Sequence, residues 1–252
     1  MIEVALCLAI ISFALMAIIG VLPRGMNTQR DNREETIIGQ DATLLLEAIR
    51  SGSHGADDLT NYVIAITNNW TGYDTNGIPT SSGINGYTTN SASVKGTSNP
   101  YYSLTNGLHI IGLLSTPEFT DNINGNPISS LNFGGFSNRI TAYVRSISGL
   151  AAEKPPQNND IMIADTFSYR LLCVNAPMAV DTNNIPLTGF SKQLAGNQRE
   201  LRMTFRWPLL PNGAVGNHGS SPQTFRTTIA GQLAQDANGF YFYQPQSFTN
   251  AP

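Results

Sequence analysis

Charged side chains are scarce in this chain: Asp, Glu, Lys and Arg make up only 12% of its 252 residues, about half the usual share. The formal net charge is −3, and the basic residues are scattered along the sequence. Because nucleic-acid binding needs a clustered basic surface, we predict no nucleic-acid partner. Asn, Ser, Thr and Gly supply the polarity instead, which is typical of proteins that function outside the cell.

Cysteine is nearly absent. The two cysteines, Cys7 and Cys173, stand in different contexts, since Cys7 lies in an apolar run and Cys173 in a predicted strand. An intrachain disulfide is therefore not predicted. Without a pair, the cysteine content does not indicate a redox compartment.

Motifs for catalysis are also missing from the sequence. The three histidines, His54, His109 and His218, have no metal-ligating neighbour at i+3 or i+4. No stretch matches G-x-S-x-G, H-E-x-x-H, C-x-x-C or a Walker motif. We expect His54 and His218 to be solvated in Gly/Ser turns and His109 to be half-buried. The prediction is a protein that is not an enzyme and has no cofactor.

A long apolar segment stands at residues 1–22, where Glu3 and Ser12 are the polar exceptions. As a helix it would measure roughly 33 Å, close to the ~30 Å hydrocarbon core of a bilayer. A secretory signal peptide has a basic start and a shorter apolar run, so the segment is predicted to span a membrane. An ionised side chain in the bilayer costs at least ~2.5 kcal/mol, so Glu3 either reaches the headgroups or has a partner.

The helix is predicted to continue to about Gly52. Gly20, Pro23 and Gly25 form a weak point where it is expected to kink or unwind. Beyond a polar stretch, apolar residues recur at helical spacing over 37–49, with Asp41 as the polar exception. The predicted organisation is a membrane or filament-core helix (1–23), an amphipathic handle (24–52) and a β-rich head (53–252).

Met1-Ile2-Glu3-Val4, the apolar run, Pro23 and the amphipathic continuation resemble the type IV pilin superfamily, which includes the pseudopilins of type II secretion. The family's first two mature residues and its basic leader ending in glycine do not precede Met1. The resemblance implies assembly roles for Glu3, Gly20 and Pro23. It implies a filament core made by the helix side chains Ile2, Val4, Leu6, Leu8, Ile10, Ile11, Phe13, Leu15, Ile18 and Ile19.

The resemblance also implies partners and a location. The partners are copies of the same chain in a helical homopolymer, the inner membrane before assembly, an assembly platform and a prepilin peptidase that methylates the new N-terminus. The location is the inner membrane first and an extracellular filament on the bacterial surface afterwards. Three stretches are similar to prepilin-like proteins encoded in verrucomicrobial cassettes, a family with little assigned biochemistry: 10–31, 109–119 and 200–231.

The head is predicted to contain an antiparallel sheet, because short alternating segments are separated by Asn, Gly and Pro turns. With the helix packed on that sheet, the fold class is α+β with long polar loops. Residues 68–100 are predicted to form a long surface loop or short hairpins, and 108–114 a buried helical turn or strand. The predicted strands are Arg139–Ile147, Thr166–Asn175, Glu200–Leu209, Thr224–Gly231 and Phe240–Gln244.

Two kinds of candidate site lie in the head. Asn69-Trp70-Thr71 matches an N-glycosylation sequon. The alternative is that these residues form a turn anchored by Trp70 and carry no glycan. The Asp/Asn/Gly loops at Asp74, Asp121 and Asp181 offer oxygen ligands at a spacing that Ca²⁺ sites use. Ordinary turns have the same composition, and no loop has the distal Glu of an EF-hand, so the calcium interpretation is the weaker one.

The predicted function is a structural subunit of an extracellular type IV pilus-like filament, polymerised through the N-terminal helix. One alternative is a minor pseudopilin at the tip of a secretion system, which would be scarce in purified filaments. Another is a membrane-anchored binding protein that never polymerises. Whether the filament serves adhesion, motility or secretion is not encoded in any recognisable motif.

Overall fold

A computed structural model of the chain describes residues 2–52, 57–88, 102–104, 106–132, 134–148, 167–179, 187–210, 212–216 and 222–248. The chain divides into two compact units, Met1–Gly39 and Gln40–Pro252. We call the second the head unit.

One α-helix, α1, extends over Ile2–Ser51 and is 50 residues long, which confirms the length predicted from the sequence. It contains Pro23 without an interruption of helical structure, so the predicted unwinding is absent in the single chain. Proline removes only one N–H donor from the ladder, and the turns on either side keep theirs. The helix ends before Gly52, whose φ of 67° is the left-handed conformation common after a helix C-terminus.

The head unit contains a large sheet and a separate two-stranded ribbon. In the described residues, eight strands form the sheet, in the order β3-β2-β1-β5-β6-β7-β8, with β4 beside β5. Among the strands that the structure describes, only β3 runs parallel to its neighbour. Strands β9 and β10 pair with each other. The strands are β1 Val63–Tyr73, β2 Pro79–Thr88, β3 Tyr102–Ser103, β4 Phe119–Thr120, β5 Gly135–Arg145, β6 Ser168–Pro177, β7 Gln198–Arg206, β8 Gln223–Ala230, β9 Gln232–Gln235 and β10 Tyr241–Gln244.

The α+β fold class is confirmed, and all five predicted strands are present, as β5, β6, β7, β8 and β10, with shifted ends. The stretch 108–114 is helical and belongs to α2, Gly107–Leu114, whose Asn106 side chain accepts a hydrogen bond from the Leu108 N–H. For residues 68–100 the prediction was a long surface loop or short hairpins, and strands β1 and β2 form a hairpin. Residues 89–101 lie outside the described part. Helix α3, Gly189–Asn197, and strand β9 were not predicted.

Alternation along the central strands builds the core of the head unit. Residues with the same parity point to the same face of a sheet, and on β5, β6 and β7 the buried face is apolar apart from Asn175 and Arg199. Residues 40–51 of α1 pack on it and add Ala42, Leu45 and Ile49, all fully buried. The buried sheet residues include Ile140, Ala142, Val144, Tyr169, Leu171, Cys173, Leu201, Met203 and Phe205.

Candidate functional sites

The apolar start of α1 is exposed on every side. Ile2 is 87% exposed and Phe13 77%, and all residues of 2–33 belong to the exposed class. The helix is long and apolar enough to cross a membrane, by length and composition. All ten side chains predicted to form the filament core are therefore uncovered in the single chain: Ile2, Val4, Leu6, Leu8, Ile10, Ile11, Phe13, Leu15, Ile18 and Ile19.

Two polar side chains interrupt this segment, and they differ in how their hydrogen-bonding groups are satisfied. Ser12 donates its hydroxyl to the Leu8 carbonyl oxygen at 2.7 Å, so it is satisfied within its own helix. Glu3 is exposed, and no described residue forms an ion pair with its carboxylate. Only Glu3 thus depends on something outside the helix to compensate its charge in an apolar environment.

Gly20 and Pro23, the other predicted assembly positions, both lie inside continuous helix. A Cβ at Gly20 would have open space around it, with no atom within 4 Å. The glycine is therefore not required by packing in the single chain. Its assembly role remains a prediction.

The two cysteines are both free, with Cys7 exposed and Cys173 buried, in keeping with the prediction of no intrachain disulfide. The Cys173 thiol donates to the Leu114 carbonyl oxygen at 3.1 Å. Burial raises the pKa of Cys173 to about 12. Because the thiolate is the reactive form, the buried Cys173 thiol is unreactive.

Asp41, the polar exception in the amphipathic helix, is buried and joins α1 to the segment after β5 by hydrogen bonds within the head unit. Its carboxylate accepts hydrogen bonds from the Ile147 N–H at 2.9 Å and the Ser148 N–H at 2.7 Å. Burial raises the pKa of Asp41, and these hydrogen bonds partly oppose the rise. The buried Tyr169 hydroxyl makes no hydrogen bond of standard geometry, yet burial and then the Asp41 carboxylate raise its pKa.

A second buried polar cluster joins α2, β6, β7 and β10. The Arg199 guanidinium donates to the Asn175 carbonyl oxygen at 3.2 Å. The Asn175 side chain donates to the Ser115 carbonyl oxygen at 2.6 Å and accepts from the Tyr243 hydroxyl at 2.7 Å. Burial lowers the pKa of Arg199, and burial raises that of Tyr243. Each contact stays within the fold, so the cluster has a structural role.

The calcium candidates occupy turns whose own backbone uses their carboxylates. Asp74 Oδ1 accepts from the Asn76 and Ile78 N–H groups, both at 2.8 Å. Asp121 Oδ1 accepts from three N–H groups, those of residues 123, 124 and 125, and the pKa values of both carboxyls are lowered by such bonds. Asp181 lies outside the described residues. Calcium binding at these loops remains an untested prediction.

Asn69 is exposed in the middle of β1, paired with Ile84 on one side and Arg139 on the other. The alternative of a Trp-anchored turn is wrong, because residues 69–71 are strand. Trp70 packs on Phe136, edge to face at 5.6 Å between centroids. A Cβ at Gly83 would come within 2.6 Å of the indole. Glycosylation of Asn69 remains a prediction.

Of the three histidines, only His109 lies in the described part. It is half-buried, as predicted, and stacks on Phe240 with 4.4 Å between ring centroids. No group of three or more His, Cys, Asp or Glu side chains that could hold a metal ion occurs among the described residues.

Comparison with known proteins returned no match: no family model, no curated protein and no solved structure resembles this chain at a significant level.

Proposed function

We propose that this chain is a pilin-like structural subunit of an extracellular type IV pilus-like filament, which polymerises through α1. The observation that carries the proposal is the uncovered apolar surface of residues 2–22. Fully burying one Val, Leu, Ile, Phe or Met side chain is worth about 1.5–3 kcal/mol. A segment with this many such side chains is unstable in water and requires an apolar environment.

Two environments meet that requirement, lipid and a bundle of equivalent helices. Lipid tails are about as apolar as Leu, so helices in a bilayer gain little hydrophobic free energy by associating. By the same argument, a helix that leaves lipid for the centre of a filament loses little. The same segment thus serves as a membrane anchor in the inner membrane before assembly and as the filament core afterwards.

Glu3 gives the assembly its register. A charge buried without a counter-charge is strongly destabilising, whereas a buried, hydrogen-bonded pair is tolerated. In the filament, we propose, the Glu3 carboxylate pairs with the N-terminal amine of a neighbouring subunit. Only one axial offset between subunits brings the two groups together, so other offsets are penalised.

The test is filament yield from cells that produce Glu3→Gln. The variant loses the charge but keeps the size, so we expect the head unit to fold normally and sheared filaments to fall at least tenfold, as for loss of a buried ion pair worth several kcal/mol. Ser12→Ala is the matched control. Ser12 is the other polar side chain of the segment and is satisfied by Leu8, so its removal should leave yield close to wild type.

Two results would refute the proposal. One is wild-type filament yield from Glu3→Gln, which removes the register role of the carboxylate. The other is purified wild-type protein that forms no regular fibres by electron microscopy and stays monomeric in detergent, as a permanent membrane anchor would.

A further inference from the structure

Arginines that are far apart in the sequence meet on the outer face of the sheet. Strand alternation places odd-numbered residues of β5 and even-numbered residues of β6, β7 and β8 opposite the apolar core. These positions collect six of the chain's 14 Lys and Arg residues, although the chain as a whole carries −3. We call this surface the arginine face: Arg139, Arg145, Arg170, Arg202, Arg206 and Arg226.

Four of these arginines are direct cross-strand neighbours. Arg170 on β6 is in register with Arg206 on β7, and Arg202 on β7 with Arg226 on β8. Like charges directly opposite each other destabilise a sheet. The arrangement therefore lowers the stability of the head unit unless an anion compensates it.

The described residues compensate only one of the two pairs. Glu200 lies 3.6 Å from the Arg202 Nε and 3.9 Å from the Arg226 Nη1, and Glu118 lies 3.9 Å from Arg202. No described carboxylate forms an ion pair with Arg170 or Arg206. Guanidinium groups carry forked N–H donors, which bind the oxygens of sulfate, phosphate and carboxylate groups.

The described part of the head unit of a second copy offers few of these oxygens. Asp41 is buried, and Asp74, Asp121 and Asp236 each accept backbone N–H groups of their own turns. Glu118 and Glu200 already face Arg202. Among the described head carboxylates this leaves two exposed ones, Glu47 and Asp58, for six arginines. The described side chains of the head unit therefore do not supply the full charge complement of this face, which favours an anion from another molecule.

A nucleic acid fits this face less well than an acidic polysaccharide. Sequence-tolerant single-strand binding relies on aromatic platforms for the bases, and the outer positions of β5 to β8 hold one aromatic residue, the half-buried Tyr143. Between the arginines lie the hydroxyl side chains of Thr204 and Thr224, 3.0 Å apart across β7 and β8, together with the half-buried Leu172 and Val174 of β6. We propose that the arginine face binds an extended acidic polysaccharide, its guanidinium groups holding the anionic substituents and its threonines the sugar hydroxyls.

This inference goes beyond subunit assembly, and it holds for the single chain as well as for a filament. The full chain, in nonionic detergent or as assembled filaments, would be tested for binding to immobilised heparin and polygalacturonate, which carry sulfate and carboxylate groups respectively. Neutral dextran and duplex DNA complete the set of probes. We expect the wild type to bind at least one acidic polysaccharide, to release it as salt rises, and not to bind dextran.

The decisive variant is Arg170→Gln/Arg206→Gln. We expect its affinity for the acidic polysaccharide to fall by about tenfold or more, as for the loss of charge-assisted hydrogen bonds. The matched control, Arg50→Gln/Lys192→Gln, removes the same charge from exposed positions outside the face and should change affinity less than about twofold. Arg170→Lys/Arg206→Lys keeps the positive charges but loses the forked N–H donors of the guanidinium groups, and it should bind with intermediate affinity.

Folding is checked by thermal unfolding, where the Gln variant should be as stable as the wild type or slightly more stable, since it relieves a like-charge contact. The proposal is overturned if the wild type binds neither polysaccharide, or if both double variants weaken binding equally. Duplex DNA bound as tightly as the polysaccharides would assign the face to nucleic acid instead. Salt-sensitive self-association lost in the Gln variant, without loss of polysaccharide binding, would assign it to a second copy.

Discussion

The start of α1 and the head unit satisfy their side chains in opposite ways. In the head, apolar residues such as Leu171 and Phe205 are fully buried, and the buried carboxylate of Asp41 receives two backbone N–H groups. In residues 2–22 the apolar side chains are exposed and Glu3 has no described partner. The head is therefore stabilised by its own contacts, whereas the helix segment depends on its surroundings.

The largest effect on the head is expected from Asp41→Ala. The change leaves the N–H groups of Ile147 and Ser148 without their acceptor, and each buried unsatisfied group costs about 1–3 kcal/mol. We predict a loss of about 2–4 kcal/mol in the free energy of unfolding, measured by denaturant titration of the full chain. Glu47→Ala on the same helix is exposed and should change the free energy by less than about 0.5 kcal/mol. Equal losses in the free energy of unfolding for the two variants would contradict a stabilising role of the Asp41 hydrogen bonds.

Packing gives the next prediction, which is that an added Cβ destabilises the head at one glycine and leaves its stability unchanged at another. A Cβ at Gly112 in α2 would come within 2.6 Å of the Phe240 Cβ, so Gly112→Ala should destabilise the head by about 1–3 kcal/mol. Gly20 in the apolar segment has open space, so Gly20→Ala should leave head stability unchanged and raise helix content. Denaturant titration and circular dichroism measure the two effects. A destabilised head in the Gly20 variant would contradict the claim that the stability of the head does not depend on residues 2–22.

The pH dependence of stability should distinguish Asp41 from the turn carboxylates. Burial raises the pKa of Asp41 above 3.8, so the folded head binds more protons than the unfolded chain in the interval above that value. The part of the Asp41 contribution to stability that is linked to its proton is therefore full below 3.8 and is lost as pH rises through the raised pKa, whereas the two backbone hydrogen bonds to the carboxylate do not depend on that proton. The pKa values of Asp74 and Asp121 are lowered, so their contributions are lost only as pH falls below 3.8. Unfolding curves of the wild type and Asp41→Asn, measured across this range, check the sign. The free energy of unfolding of the wild type relative to the variant should fall as pH rises, and a rise in this difference would contradict the prediction.

The smallest predicted effect lies in the polar part of α1. Arg30 Nε and Glu34 Oε1 form an i,i+4 ion pair at 2.8 Å, and such pairs contribute about 0.2–0.5 kcal/mol on a helix. Arg30→Ala should lower helix stability by no more than this and should leave the unfolding midpoint of the head unchanged. Thermal circular dichroism at low and high salt tests it, because the pair is screened by salt.

Sequence periodicity was sufficient for α1 and for the central strands, because their apolar residues repeat at 3.6 or 2 positions. For β1 and β2, where Asn, Thr and Gly dominate, the sequence left a long loop and short hairpins as alternatives, and a hairpin is present. Periodicity did not select it, because Gly83 is required by the indole of Trp70, a tertiary contact without a local signal. It also failed for the arginine face. Arg170 and Arg206 are far apart in sequence, and only strand register brings them together, so their scatter along the chain does not exclude a clustered basic surface.

The role of Asp41 was likewise hidden. A polar residue within an apolar stripe is a visible irregularity, but its partners are backbone N–H groups at residues 147 and 148. Backbone donors have no sequence signature. For Glu3 the sequence and the single chain give the same description, an acid in an apolar helix, and its partner must be sought in the assembled state.

The central claim, that residues 2–22 become the interior of a filament, is tested most directly by the reactivity of Cys7 in filaments free of detergent. Cys7 is exposed in the single chain, while Cys173 is buried with its pKa raised to about 12 and serves as the internal control. A water-soluble maleimide should leave Cys7 unmodified in intact filaments and modify it fully once guanidinium dissolves them, with mass spectrometry locating the label. Rapid modification of Cys7 in intact filaments, at the rate seen in the dissolved protein, would contradict the account.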